Sequence, residues 1–226
     1  MKNRSKVAII FDEEYLIHTN SQHPERKERL EATMAALYER NLLNKLELIE
    51  PFRASVDDVA LIHDRAYIKS IDEACQSGQG FLDMDTYLVP QSYQVALLSV
   101  GGALTGLETV MNDQPKKIFV LNRPPGHHAE INQARGFCLF NNIAIAAAKA
   151  KNDYNLKRIA IVDWDVHHGN GTQHAFEIDP QVLFLSIHQS PAFPGSGYVQ
   201  ETGRENGKGY TVNMPLPPGC GDSDYK

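Results

Sequence analysis

Two short polar segments carry the residue types that metal binding and proton transfer require. The first reads Arg123-Pro124-Pro125-Gly126-His127-His128-Ala129-Glu130, the second Asp163-Trp164-Asp165-Val166-His167-His168-Gly169-Asn170-Gly171. In extended backbone alternate side chains share a face, so Asp163, Asp165 and His167 are expected to converge while Trp164 and Val166 turn away. A carboxylate and an imidazole are ordinary zinc ligands, and a catalytic zinc site uses three protein ligands with one position open for water. Asp165 and His167 would supply two of them. The competing reading is a polar strand end whose aspartates cap a following helix or bind backbone amides. His127 and His128 follow Pro-Pro-Gly, which stiffens a turn and lets the backbone pass close to a ligand. Adjacent histidines with Asp163 as an acidic partner suit a proton-transfer pair, and satisfied core histidines are the bland alternative.

Both segments stand directly after short aliphatic runs, residues 118–121 and 159–162, and the stretch 141–151 between them has helical spacing. Residues 182–187 form one more apolar run. Upstream, residues 7–11 read as a first buried strand, and His23-Pro24-Glu25 is expected to open a helix reaching residue 41. Ser55 is placed to cap a helix, 66–75 continues as helical, and 91–111 forms a long helix whose Gly101-Gly102 pair marks a close approach. Alternating strands and helices imply an α/β layered domain on a mostly parallel sheet. In such sheets ligands bind beyond the carboxyl ends of the strands, which is where both polar segments lie.

The 226 residues suffice for one domain with a sizeable core. A net charge of −6 argues against a general nucleic-acid binder, whose phosphate contacts come from Lys and Arg. The apolar run near the N-terminus is too short for a membrane span or signal-peptide core. Cys75, Cys138 and Cys220 are dispersed and odd in number, which suits a reducing compartment and a cytoplasmic location.

With these residues in place, the sequence resembles the histone deacetylase superfamily, which includes acetylpolyamine amidohydrolases. The carriers are His23-Pro24-Glu25-Arg26 with Arg29-Leu30, RPPGHHA, GFCLFNN from Gly136, DWDVHHGNGTQ from Asp163, LSIH from Leu185 and PGSG from Pro194. The resemblance implies a three-layer arginase/deacetylase-like α/β fold and zinc-dependent hydrolysis of an acetamide, in acetyl-lysine or an acetylated polyamine. It implies Asp165 and His167 as zinc ligands, His128 as general base and acid, and His127 with Asp163 as an electrostatic pair. Asn170 stands where class I members have an aspartate, as in class II and bacterial relatives. Gly136, Phe137 and Phe193 would wall the acyl-lysine tunnel, with Asp85 at its rim; for the two phenylalanines a plain core role stays open, and for Asp85 an exposed loop charge.

The same resemblance implies a structural potassium ion on carbonyls of Asp163, Asp165, His167 and Ile187 with the Ser186 hydroxyl. A second cation would sit near Phe176, Asp179, Val182 and Tyr210. Ferrous iron suits the zinc donors as well. The family's third ligand, an aspartate, and its oxyanion-stabilising tyrosine fall beyond Lys226, so residues 1–226 are expected to form a single deacetylase domain incomplete at its C-terminus. A non-catalytic module binding acylated amines or partner proteins is the alternative, and a manganese ureohydrolase fits poorly because Gly169 follows the two histidines. Oligomerisation of like chains is a further expectation that family membership leaves open.

Overall fold

The structure, a computed structural model, describes residues 7–112 and 117–225. In chain order it contains β1 (Val7–Ile10), α1 (Glu28–Glu39), β2 (Leu46–Ile49), α2 (Val56–Val59), α3 (Arg65–Gln76), α4 (Ser92–Met111), β3 (Lys117–Val120), α5 (Asn142–Tyr154), β4 (Ile159–Asp163), α6 (Asn170–Phe176), β5 (Val182–Gln189) and β6 (Thr211–Leu216). Every pairing between strands is parallel, in two three-stranded sheets ordered β2-β1-β3 and β4-β5-β6. Parallel strands need crossovers, and the crossover helices cover the sheet faces, so the strands can be aliphatic on both sides. Helices α4 and α5 pack together, and α4 also packs against β1 and β3. The β3 and β4 edges face a shared apolar cleft of about 800 Å³ floored by those two helices.

Helix α4 is the one helix among the described residues long and apolar enough to cross a membrane. Here it serves as the core helix, with Val95, Ala96, Val100 and Leu104 at most 1% exposed. The close approach expected at Gly101-Gly102 is present: a Cβ on Gly101 would sit 1.7 Å from the Phe52 carbonyl oxygen, and one on Gly102 2.5 Å from the Tyr15 hydroxyl. Ser55 caps α2 in a reciprocal box with Asp58, which satisfies two of the donors exposed at a helix start.

Several elements differ from expectation. Helix α1 opens at Glu28 rather than His23, because His23 Nδ1 accepts the Glu25 N–H and Thr19 Oγ1 accepts the Lys27 N–H, wrapping residues 23–27 into turns. The helical stretch after Ser55 breaks at residues 60–64, where the His63 ring bonds the Glu130 carbonyl and the Asn141 N–H. Strands β2 and β6 and helix α6 were not expected. β2 is short and half exposed, β6 carries Asn213 and Pro215, and α6 follows Gly169 and contains Gly171, so none has a clear apolar period.

Substituting Gly101 by Ala tests the α4 contact directly. G101A is expected to lower stability by at least about 2 kcal/mol, since the obstructing atom is backbone and cannot swing aside. G80A, where nothing lies within 4 Å of the added Cβ, is the matched control and is expected to stay within about 0.5 kcal/mol of the parent in urea unfolding.

Candidate active site

The turn after β3 is held from below by Arg123. Its Nε donates to Glu25 Oε1 at 2.6 Å, its other nitrogens donate to the Tyr15 carbonyl and the Tyr87 hydroxyl, and both charged side chains are 1% exposed. Arg29 donates to the second Glu25 oxygen at 2.7 Å. The charge on Glu25 is thus balanced in the interior, and the turn carrying His127 and His128 is anchored to the segment carrying His23.

The two histidines have different partners. His127 Nδ1 lies 2.8 Å from Asp163 Oδ2, whereas His128 Nδ1 lies 2.8 Å from Asn170 Oδ1. Their rings are 3.9 Å apart. Burial works against charge on His127, but the bond and the charge of Asp163 outweigh it and raise its pKa. For His128 burial dominates, the neighbouring His127 adds to it, and the neutral amide of Asn170 recovers little, so its pKa falls to about 3. His128 is therefore a neutral ring throughout the physiological range, and its Nε2 makes no hydrogen bond among the described residues.

The segment after β4 departs from a simple extended strand. Asp163 Oδ1 accepts the Asp165 N–H at 3.1 Å and Asp165 Oδ1 accepts the His167 N–H at 2.8 Å, so the chain turns after Asp163. Trp164 and Val166 do point to solvent, 75% and 48% exposed. The expected convergence of Asp163, Asp165 and His167 is corrected: Asp163 backs His127, outside the cavity lining that contains Asp165 and His167. Asp165 Oδ1 and His167 Nδ1 approach to 3.2 Å. Among the described residues no group of three His, Cys, Asp or Glu side chains is arranged to hold a metal.

His127, His128, Asp165 and His167 line one cavity of about 370 Å³, together with Gly136, Phe137, Phe193 and Asp85. Phe193 stands edge-on to His128 at 4.9 Å and to His167 at 6.0 Å, with the Arg135 guanidinium 5.1 Å from its ring. Phe137 packs edge-on against His23 at 4.6 Å. Gly136 and Phe137 have φ of 55° and 70°, the left-handed pair that a tight hairpin turn of type I′ demands. Reciprocal N–H···O bonds between Arg135 and Cys138 close that turn, and Thr86 Oγ1 accepts the Phe137 N–H. A Cβ on Gly136 would lie 2.5 Å from the His128 ring, so only glycine lets this turn pack against that ring. Asp85 is half-buried; burial first, then neighbouring Asp83, raises its pKa, and its carbonyl accepts from His23 Nε2 at 2.9 Å. Ser186, buried on β5 and paired in register with Asp163, shares a hydrogen bond with His188 Nδ1; Ile187 follows it on the same strand.

Several supporting residues are not recognisable as such from the sequence alone. His168 is held between Ser196 Oγ and Gln173 Oε1, each at 2.9 Å, and Glu201 accepts the Gly197 and Tyr198 N–H groups, so the loop presenting Phe193 is pinned at both sites. Glu130 and His174 continue outward from Asn170. Glu130 and His174 directly follow the two polar motifs, yet spacing alone does not reveal that their side chains meet.

Comparison with known proteins places this arrangement in context. The sequence profile of the histone deacetylase domain matches residues 23–226. A probable deacetylase of Archaeoglobus fulgidus is 46% identical over 221 residues, covering 96% of this chain and 61% of that protein. The histone deacetylase-like amidohydrolase of Pseudomonas aeruginosa is 37% identical, over 91% of this chain and 54% of its own length. The solved HDA15 HD domain superposes with a TM-score of 0.90 at 36% identity, covering 96% of this chain and 63% of that one. The chain thus spans roughly half to two thirds of the length of these proteins.

The buried histidines make stability depend on pH in a definite direction. Burial lowers His18 to about 3, His63 to about 4, His128 to about 3 and His168 to about 4. In the unfolded chain these rings titrate near about 6.5, so between pH 6.5 and 4 the unfolded state binds more protons and stability falls with falling pH. His127 and His174, raised by Asp163 and Glu130, work the other way but are fewer. Urea unfolding is expected to show a loss on the order of 2 kcal/mol or more from pH 7 to pH 5. A stability that rises over that interval would mean that the four rings protonate freely in the folded protein.

Proposed function

Since the chain belongs to the histone deacetylase domain family, we propose that it carries the base, two metal donors and the substrate walls of a zinc-dependent hydrolase that cuts an acetamide into acetate and a free amine. The observation that carries this reading is a single cavity in which a neutral, buried His128 stands beside Asp165, His167 and two flat apolar rings.

A carboxylate oxygen and an imidazole nitrogen already 3.2 Å apart suit zinc, and ferrous iron equally. Three protein donors are usual in a catalytic site, so a further donor from outside the described residues is part of the proposal. The chemistry zinc supplies when bound is Lewis acidity, polarising an acyl oxygen and easing deprotonation of water. His128 takes the proton through Nε2 and returns it to the departing amine nitrogen, while Asn170 holds Nδ1 in place. His127, drawn toward its charged form by Asp163, favours negative charge developing on the acyl oxygen and keeps His128 from protonating prematurely. Phe137 and Phe193 offer apolar faces to a methylene chain, and Asp85 at the rim suits an amide N–H or a cationic amine. Acetyl-lysine in proteins and acetylated polyamines both present this group, and the acidic composition favours cationic substrates. A potassium ion on the carbonyls of Asp163, Asp165, His167 and Ile187 with the Ser186 hydroxyl would stiffen the strand ends that carry the donors. The absence of a three-donor cluster among the described residues keeps a second reading, a module that binds acylated amines without cutting them.

Zinc content by elemental analysis, with hydrolysis of a fluorogenic acetyl-lysine peptide and of acetylputrescine, tests the proposal. The 226-residue chain alone is expected to retain less than one zinc and to turn over weakly. In any preparation that does turn over, H128A is expected to lower kcat by about 10² to 10⁴ with D165A losing zinc. Acetyl-lysine peptide binding that survives in H128A and D165A, with no hydrolysis by any preparation, would support the binding module instead.

A further inference from the structure

His128 can act as a base only through a ring nitrogen that lacks hydrogen, and a neutral imidazole has two tautomers. Asn170 decides between them. Its Oδ1 faces His128 Nδ1 at 2.8 Å, while its amide nitrogen donates to the His128 carbonyl at 3.2 Å and to Glu130 Oε1 at 2.5 Å. In this orientation Nδ1 carries the hydrogen and Nε2, toward the cavity, is the free base. Turning the amide over would set Oδ1 against a carbonyl and a carboxylate, neither of which can donate, and would present N–H to Nδ1. The hydrogen would then move to Nε2, where it blocks proton uptake.

Glu130 is built to hold its place. Its backbone N–H donates to the Gln133 carbonyl, and its own carbonyl accepts from His63 Nδ1 at 2.8 Å. His63 Nε2 accepts the Asn141 N–H, which leaves the hydrogen on Nδ1 and fixes the direction of that bond. The Glu130 carboxylate is 17% exposed and receives His174 Nδ1 on both oxygens, at 3.0 and 2.9 Å. The two adjacent histidines therefore each have a carboxylate behind them: Asp163 touches His127 directly, and Glu130 stands one side chain back from His128.

We propose that Glu130 is the positioning residue of the His128 base, acting through the amide orientation of Asn170 to keep the ring in its Nδ1–H tautomer, with His174 securing Glu130 from the solvent side. This rests on the reading of His128 as the base, yet its test does not require activity. Long-range ¹H–¹⁵N correlation spectra of the ¹⁵N-labelled 226-residue chain at neutral pH distinguish Nδ1–H from Nε2–H for the resonance that disappears in H128Q. The parent is expected to show Nδ1–H alone. E130A, and E130M, which fills the volume without an acceptor should E130A fail to fold, are expected to shift the tautomer ratio toward Nε2–H by roughly tenfold or more, the effect of one hydrogen bond to a charged group. E130Q, which keeps an acceptor, is expected to restore most of the parent pattern, and H174A to fall between. In a preparation that turns over, E130A is expected to lower kcat about tenfold with KM little changed. An Nε2–H ring in the parent, or an unchanged Nδ1–H ring in folded E130A or E130M, would overturn the proposal whatever the activity.

Discussion

The buried pair between Arg123 and Glu25 is the constraint on which the rest of the site depends. Neither charge can be solvated at 1% exposure, so each must be met by fixed partners, and the partners come from distant parts of the chain: Tyr15 before α1, Tyr87 before α4, and Arg29 on α1. A buried charge that loses its partner is far more costly than the pair is favourable, which makes the geometry unforgiving. The consequence is spatial. Arg123 opens the turn that carries His127 and His128, and Glu25 lies two residues after His23, whose ring supports both Asp85 and Phe137. The cavity floor and one cavity wall are thereby fixed to each other through a buried ion pair whose Glu25 also lines the cavity.

Electrostatics then divides the two adjacent histidines. Similar burial would lower both, and only the partner differs: a carboxylate on His127, a neutral amide on His128. With rings 3.9 Å apart, positive charge on one opposes positive charge on the other. Two adjacent histidines thus separate into one drawn toward its charged form and one held neutral without any difference in their own chemistry.

Much of this was legible in the sequence because it is local. The aliphatic runs before each polar segment, the cap at Ser55, the double glycine of α4 and the outward turn of Trp164 and Val166 all follow from period, propensity or steric size. What was not legible depends on neighbours remote in the chain. The delayed start of α1 reflects the His23 ring taking a backbone donor, the break before α3 reflects His63 reaching residues 130 and 141, and the paired left-handed residues Gly136 and Phe137 follow from a turn closed by Arg135 and Cys138. β6, with Asn213 and Pro215 inside it, forms because β5 offers a parallel edge, a tertiary effect that outweighs its own weak preference.

Of the alternatives for the segment after β4, the aspartates bind backbone amides and do not cap the following helix, and that use leaves room for other partners. A carboxylate has two oxygens and several lone pairs, and here they are divided. Asp163 gives one oxygen to the Asp165 N–H and the other to His127; Asp165 gives one oxygen to the His167 N–H and keeps that same edge toward the His167 ring. Each local bond removes rotamer freedom from a side chain that must hold its direction, so the turn supplies the preorganisation that a donor or an electrostatic partner needs. These local bonds are the means by which the stretch from Asp163, the last residue of the strand, to His167 positions two carboxylates and an imidazole, and they explain why the strand ends at Asp163.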